Sequence, residues 1–193
     1  MTVVSSVSSS AGRWDGWYRT AVPGVPRPYG DSTTYVKGAT WLKDLHVEDW
    51  GCGLGWMRTF VDPALYRGVD GSHTPFADEI VDLATYRSTA DGIFLRHVLE
   101  HNECWLEILR GAVASFRKRL VLVIFTPWQD ETRRIGQTDV GPGILIPDIG
   151  FAREDITREL GALLVTEETL TTRTQYGVEH VLYCERPADP NAP

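Results

Sequence analysis

Cysteine is scarce in this sequence and shows no spacing typical of a metal site or a disulfide framework. The 193 residues contain three cysteines, Cys52, Cys104 and Cys184, and no two of them form a CxxC pair. An odd and widely spaced set of this kind argues against both a disulfide scaffold and a zinc site. We therefore expect no bound metal, and a reducing cytoplasm is the simplest setting for the chain.

Long apolar runs and an excess of positive charge are also missing. No stretch approaches the ~20 consecutive apolar residues that cross a bilayer. The first twelve residues lack the charged start and the apolar run of a secretory signal. The formal net charge is −7, which makes the chain a poor default partner for nucleic acid or an anionic membrane surface. We expect neither as a partner, and both a monomer and a homodimer remain open.

Composition divides the chain into one globular domain and three flanking stretches. Residues 1–12 are small and polar, which predicts a disordered tail. Residues 13–44 combine an arm rich in aromatics and prolines with a predicted helix, and residues 187–193 form a second predicted disordered tail. Residues 45–186 hold the domain, and a hydrophobic content of 42% in the whole chain is enough for a substantial core.

Predicted strands and helices alternate along the domain. We predict strands at Leu45–Trp50, Tyr66–Val69, Glu79–Leu83, Gly92–Arg96, Leu120–Phe125, Leu163–Thr172 and Val178–Glu185. We predict helices at Thr33–Lys43, Leu54–Phe60, Trp105–Phe116 and Phe151–Leu160, and a loop at Trp128–Gly150. Alternation that ends in a strand pair is typical of an α/β sheet with helices on both faces.

The sharpest motif is a glycine cluster where the first predicted strand runs into a helix, Asp49-Trp50-Gly51-Cys52-Gly53-Leu54-Gly55. At such a position the backbone must turn tightly and approach a ligand closely, which glycine permits. The spacing differs from the dinucleotide fingerprint GxGxxG, whose third glycine would fall on Trp56. A second acid, Asp70, ends the next strand roughly 20 residues further on, where a carboxylate can accept hydrogen bonds from two ribose hydroxyls.

These residues resemble the class I S-adenosylmethionine-dependent methyltransferases. Asp49-x-Gly51-x-Gly53-x-Gly55 matches that family's first motif, Asp70 its ribose-binding acid, and Asp82-Leu83 the segment that contacts adenine. The stretch from Ala90 to His101 is similar to the fourth strand and the "VLEH" turn that follows it. The resemblance implies a Rossmann-like, seven-stranded, mostly parallel sheet whose last strand is antiparallel.

The resemblance also implies S-adenosyl-L-methionine as the cofactor. This methyl donor has no phosphate and carries an ammonium group, which needs acids and carbonyls around it. The predicted cofactor-binding residues are Asp49, Trp50, Gly51, Cys52, Gly53, Gly55, Asp70, Gly71, Ser72, Asp82, Leu83, Arg96 and His97. The short spacing from Asp70 to Asp78 predicts that the helix usually following the second strand is short or missing.

Two of the five histidines are candidate catalytic residues. His97 follows the carboxyl end of a predicted strand, where open α/β sheets bind ligands, and a histidine there can serve as a general base. His101 lies one helical turn further and is the second candidate. For each the alternative is structural, with His97 fixing the turn and His101 packing against the sheet.

Aromatic side chains are concentrated around the proposed cleft. They either pack into the core or wall an acceptor pocket, and we predict substrate contacts for Trp14, Trp17, Tyr18, Tyr29 and Trp128. The resulting hypothesis is a metal-independent methyltransferase for a small acceptor such as a natural product or a sugar. A methyltransferase for RNA or protein, and a non-catalytic donor-binding partner, are the alternatives.

Overall fold

The computed structural model describes residues 11–141 and 143–187. Most of the first expected tail, residues 1–10, and most of the second, residues 188–193, lie outside the described residues. Ala11 and Gly12 belong to the same predicted tail, yet the N–H of Gly12 donates to the carbonyl of Gly71 at 2.8 Å. Gly12 thus lies against the turn that follows β2. No helix in the described ranges is long and apolar enough to span a membrane.

The described residues contain nine strands and four α-helices. The strands are β1 (Val47–Trp50), β2 (Tyr66–Asp70), β3 (Glu79–Ile80), β4 (Gly92–Arg96), β5 (Arg119–Ile124), β6 (Arg133–Asp139), β7 (Leu145–Gly150), β8 (Leu164–Thr171) and β9 (Val178–Glu185). The helices are α1 (Asp15–Tyr18), α2 (Thr33–Trp41), α3 (Trp105–Ser115) and α4 (Arg153–Leu160). A 3₁₀ turn at Leu99–His101 links β4 to α3.

Seven strands form one sheet in the order β3-β2-β1-β4-β5-β9-β8. Neighbours from β3 to β5 are parallel, and β9 pairs antiparallel with both β5 and β8. This arrangement confirms the predicted fold class, a mostly parallel sheet with its last strand antiparallel. The strand order reverses between β1 and β4, and open α/β sheets bind ligands at such a switch point, beyond the carboxyl ends of the strands.

Apolar side chains on the two faces of the sheet form two separate cores. On one face Leu95, Leu122 and their neighbours pack beneath α3 and α4. On the other face Phe94 and Val121 pack against Tyr35 of α2. Strand β4 is buried along its whole length and β5 nearly so, which explains their continuous apolar sequences.

The helix predicted at Leu54–Phe60 is wrong, because the glycine cluster is followed only by a 3₁₀ turn at Met57–Thr59. Gly53 and Gly55 both adopt positive φ, +52° and +70°. The carbonyl of Leu54 accepts from the N–H of Arg27 in the arm instead of from a helical N–H. A distant segment therefore takes the hydrogen bond that would have started the helix.

The predicted loop at Trp128–Gly150 is also wrong. Most of it is an antiparallel hairpin of β6 and β7, with a register shift between Arg134 and Gly136. Strand β7 is buried from Ile146 to Gly150 and lies against the 3₁₀ turn at Leu99–His101. The hairpin therefore forms a wall beside the carboxyl edge of the main sheet. The short helix α1 in the arm was not predicted. The remaining elements of the main sheet and its helices lie within a few residues of their predicted bounds, although β3 is reduced to Glu79–Ile80.

Gly38 in α2 tests how tightly this helix packs on the sheet. A methyl group at this position would lie 2.4 Å from Cε2 of Phe94, a ring held in the core. We expect Gly38→Ala to lower the free energy of unfolding by ~1–3 kcal/mol through overpacking, despite alanine's better helix propensity. Urea denaturation measures the effect.

Gly111 in α3 supplies the matched control for Gly38→Ala. Its added methyl group would first meet the guanidinium of Arg87, at 2.7 Å, and that side chain is exposed and can move. Gly111→Ala should therefore stay within about 1 kcal/mol of the wild-type stability. Equal effects of the two substitutions would contradict the proposed contact between α2 and Phe94.

Candidate active site

A cavity of about 350 Å³ lies at the carboxyl edge of the sheet. Its floor comes from the ends of β1, β2 and β4, and its far wall from the hairpin at Thr138–Val140. The arm and the turn at Arg173–Gln175, between β8 and β9, also line it. The volume lies within the range of small-molecule sites.

The glycine loop fits its surroundings only without side chains. Gly51 has φ +75°, and a Cβ there would lie 2.4 Å from Cγ2 of Val98. A Cβ on Gly53 would meet the ring of Tyr29 at 3.0 Å and the hydroxyl of Tyr18 at 3.4 Å. The absence of side chains therefore lets Val98 and the arm pack directly against the loop backbone.

Two buried carboxylates lie next to this loop. Asp49 in β1 accepts a hydrogen bond from the hydroxyl of Tyr66 at 2.8 Å. Burial raises the pKa of Asp49 to about 7, although this hydrogen bond acts to lower it. Asp70 at the end of β2 accepts from the backbone N–H groups of Gly53 and Ser72, both at 2.9 Å. Burial raises the pKa of Asp70 to about 6, and these backbone bonds limit the rise. Both acids line the cavity, where positive charge or hydrogen-bond donors on a ligand would stabilise their ionised forms.

Most of the predicted cofactor-binding residues line the cavity, and three do not. The lining includes Asp49, Gly51, Cys52, Asp70, Gly71, Ser72, Asp82, Leu83, Arg96 and His97. Trp50 is fully buried in the core, and its indole N–H donates to Glu48. Gly53 and Gly55 allow the loop to turn through their positive φ angles, but they do not line the cavity. Side chains alternate along a strand, so the acid at Asp49 and the indole at Trp50 point to opposite faces.

Arg96 is held by an extensive set of hydrogen bonds. Its guanidinium donates to the hydroxyls of Thr34 and Tyr35, to the carbonyl of Tyr29 and to the carboxylate of Glu179, at distances of 2.8–2.9 Å. These contacts join β4 to α2, the arm and β9. Arg96 thus positions the walls of the cavity rather than offering a free cation to a ligand.

His97 lines the cavity in an unusual backbone conformation, φ +56°. Its Nε2 lies 2.7 Å from Oε1 of Glu179. Burial, with a smaller contribution from the nearby Arg96 charge, lowers the pKa of His97 to about 3 although Glu179 opposes this. The ring is therefore neutral at pH 7, and it is a weak base.

His101 occupies the adjacent part of the cavity. Its Nδ1 lies 3.1 Å from the carbonyl of Pro147 and 3.3 Å from Oδ1 of Asp148, both in β7. Its ring centroid is 5.3 Å from that of Trp14 and 5.3 Å from that of Phe125. The hairpin and the arm thus meet at this histidine.

The aromatic residues of the arm cover the cavity. Trp14, Trp17, Tyr18 and Tyr29 all line it, and the rings of Trp14 and Tyr18 stack at 6.1 Å. Trp128, the fifth aromatic predicted to contact substrate, is not part of the lining. It stacks on His180 at 4.5 Å and donates to Glu167, so it packs the hairpin base against β8 and β9.

Asp148, Glu179 and Phe125 are site residues that the sequence analysis missed. Asp148 was hidden in the predicted loop, and Glu179 begins a strand whose other residues are largely apolar. A buried acid within an apolar strand was the available signal, since such an acid needs partners. Phe125 was predicted only as a strand end.

Comparisons by sequence and by structure give different results. No protein-family model matches the sequence, and no curated protein matches it. Among solved structures, the 1,6-didemethyltoxoflavin-N1-methyltransferase of Burkholderia thailandensis, with 1,6-didemethyltoxoflavin and S-adenosylhomocysteine bound, is 14% identical, with a TM-score of 0.61 covering 82% of this chain and 80% of that one. The magnesium protoporphyrin IX methyltransferase of Synechocystis PCC 6803, with S-adenosylhomocysteine bound, is 20% identical, with a TM-score of 0.58 covering 91% and 93%.

A third solved structure, the N-terminal domain of EvdMO1 in the presence of S-adenosylhomocysteine and D-fucose, is 12% identical, with a TM-score of 0.55 covering 88% of this chain and 92% of that one. Identities this low establish the fold alone. This chain has the fold of the class I S-adenosylmethionine-dependent methyltransferases.

Proposed function

We propose that this chain is an S-adenosylmethionine-dependent methyltransferase acting on a small-molecule acceptor. The observation that carries the proposal is the pair of buried carboxylates, Asp49 and Asp70, which line the same cavity beside Gly51 and Cys52 of the glycine loop. Each carboxylate oxygen has two lone pairs, so Asp70 can keep its backbone bonds and still accept from ribose hydroxyls. The negative charge of Asp49 can pair with the ammonium group of the methyl donor.

The missing helix argues against a dinucleotide cofactor. A pyrophosphate is usually held at the amino end of the helix that follows a glycine loop. Here the loop leads only into the 3₁₀ turn at Met57–Thr59, and two buried acids lie where phosphate charge would have to be accommodated. The site therefore favours a ligand that carries positive charge and no phosphate.

The residues present fit the methyl donor. Asp70 and Ser72 would hold its ribose, Asp82 and Leu83 its adenine edge, and Asp49 with the loop carbonyls its amino acid portion. When bound, it supplies an electrophilic methyl group on a sulfonium. The chain's own part is to align the acceptor, exclude water and receive a proton where the acceptor carries one.

The walls and the size of the cavity favour a small acceptor. The arm, the hairpin and the turn at Arg173–Gln175 line this cavity, which disfavours the RNA and protein alternatives. Two of the structural neighbours are named for small substrates, a toxoflavin precursor and magnesium protoporphyrin IX. A cytoplasmic setting stays a prediction, as do the domain bounds and the absence of metal.

Binding of the donor should release protons near neutral pH. At about pH 6.5 Asp49 is partly protonated in the free protein, and a bound ammonium group lowers its pKa, so the proton leaves. Affinity for S-adenosylmethionine should therefore rise as pH increases through this range. Calorimetry in two buffers of different ionisation enthalpy measures the released protons, and Asp49→Asn should remove most of the release.

Asp91→Asn is the control for Asp49→Asn, because Asp91 lies at the opposite edge of the sheet in an ion pair with Arg117. It should bind and release protons as the wild type does. S-adenosylhomocysteine should also bind, and NAD far more weakly. If neither adenosyl ligand gives heat or a thermal shift at millimolar concentration, the proposed function is wrong.

Replacing Asp70 should affect both the ligand and the loop. Asp70→Asn keeps the volume but loses one accepting oxygen, so we expect donor affinity to fall by ~1–3 kcal/mol. The free protein should also lose some thermal stability, since Asp70 holds the N–H groups of Gly53 and Ser72. Calorimetry and thermal denaturation test the two effects, and unchanged affinity in a folded variant would place the ribose acid elsewhere.

A further inference from the structure

The hairpin brings a buried acid to a histidine on the cavity wall. Asp148 is completely buried in β7, and its Oδ1 faces Nδ1 of His101 and the hydroxyl of Thr138. Its Oδ2 accepts from Gln175 and from the hydroxyl of Tyr176. The carboxylate therefore ties the hairpin, the turn after β4 and the turn before β9 together beside the cavity.

The partners of His101 determine which ring nitrogen carries its proton. The carbonyl of Pro147 can only accept a hydrogen bond, so Nδ1 of His101 must donate. The neutral ring then has its lone pair on Nε2. Nε2 has no hydrogen-bond partner within residues 11–141 and 143–187, and the side chain lines the cavity.

Asp148 is suited to stabilise the same ring when it becomes charged. Burial disfavours the ionised carboxylate, yet hydrogen bonds from His101, Thr138 and Tyr176 hold the pKa of Asp148 below its usual value. All of the donors other than His101 are uncharged, so the negative charge stays available to a protonated imidazole. This is the arrangement in which an acid orients a histidine base.

His97, the base favoured by sequence, is arranged differently. Its Nε2 donates to Glu179, whose Oε1 also accepts from Arg96 and Thr34. The Arg96 cation next to this carboxylate opposes a second positive charge on His97. His97 therefore belongs with the structural network that holds the arm and β9.

We propose that His101 is the general base of this enzyme and that Asp148 is its positioning residue, for an acceptor hydroxyl carried on a flat aromatic molecule. The proposal rests on the proposed function and goes further by naming the acceptor class. As the acceptor oxygen forms its bond to the methyl carbon, its proton passes to Nε2 of His101. The electron pair of the broken carbon–sulfur bond stays on sulfur, which loses its positive charge.

The aromatic acceptor is inferred from the lining around His101. The rings of Trp14 and Phe125 both lie against the ring of His101, each at a centroid distance of 5.3 Å, and Trp17 and Val140 continue the apolar lining. A flat ring packs well against aromatic side chains. A hydroxyl on that ring can reach Nε2 of His101, the nitrogen that carries no proton in the neutral ring.

Two measurements on the complex with S-adenosylhomocysteine, which has no methyl group to transfer, test the proposal. Ring ¹⁵N spectra, assigned with His101→Gln and His97→Gln, should show His101 protonated on Nδ1 and His97 on Nε2. A nitrophenol, whose ionised form absorbs visible light, is then added at a pH below its own titration midpoint. The wild type should bind it and ionise it.

The variants separate catalysis from packing. His101→Gln should abolish ionisation of the bound phenol. Asp148→Asn should reduce the ionised fraction several-fold and give mixed tautomers of His101, while phenol affinity stays within a few-fold. Glu159→Gln, which removes an exposed ion pair with Arg110, should behave as the wild type.

Some results would overturn the assignment of His101. These are protonation of its Nε2 in the neutral ring, retained ionisation in His101→Gln, or failure of the wild type to bind and ionise the phenol. Calorimetry with S-adenosylhomocysteine is done first and tells the two failures apart. If that ligand binds and the phenol result fails, only the base and the acceptor class are wrong; if it does not bind, the proposed function fails as well.

Discussion

The carboxylate of Glu179 holds the carboxyl edge of this molecule together. It is fully buried on β9 and accepts from the hydroxyl of Thr34, the guanidinium of Arg96 and the ring of His97. A charge removed from water in this way needs several strong donors, and the chain supplies them from α2 and β4. Through Arg96, which also donates to Tyr29, the same network fixes the base of the arm.

From Tyr29, which Arg96 holds, the arm crosses the glycine loop, and backbone N–H groups of the arm donate hydrogen bonds along the way. Arg27 bonds to Leu54, Trp14 to Ser72, and Gly12 to Gly71. The arm thus forms one wall of the cavity, and it also supplies the aromatic surface next to His101.

The sequence predicts those elements and site residues that depend on a local pattern. It does not predict elements whose structure depends on contacts with distant segments. Strands β4 and β5 are recognisable because a strand buried on both faces must be apolar throughout. Asp49 and Asp70 are recognisable because strand ends and glycines place them. The helix predicted at Leu54–Phe60 does not form because the carbonyl of Leu54 accepts its hydrogen bond from Arg27, in a segment that is distant along the sequence. The hairpin is missed because Pro147 and the glycines of its tip read as loop residues, and its burial depends on contact with the turn at Leu99–His101.

The tip of the hairpin has room around it. A Cβ added at Gly141 or Gly143 would meet nothing within 4 Å among residues 11–141 and 143–187, although both glycines have positive φ. The nearby Ile144 and Leu145 are exposed. The strands below the tip form one wall of the cavity, whereas β1 and β2 end at its floor. The two sides of the cavity are therefore built on separate segments of the chain, and the exposed tip can change while the glycine loop is preserved. In such a molecule one wall of the cavity can vary through a single segment, and libraries that vary the exposed tip of this hairpin would reveal which small molecules that wall selects.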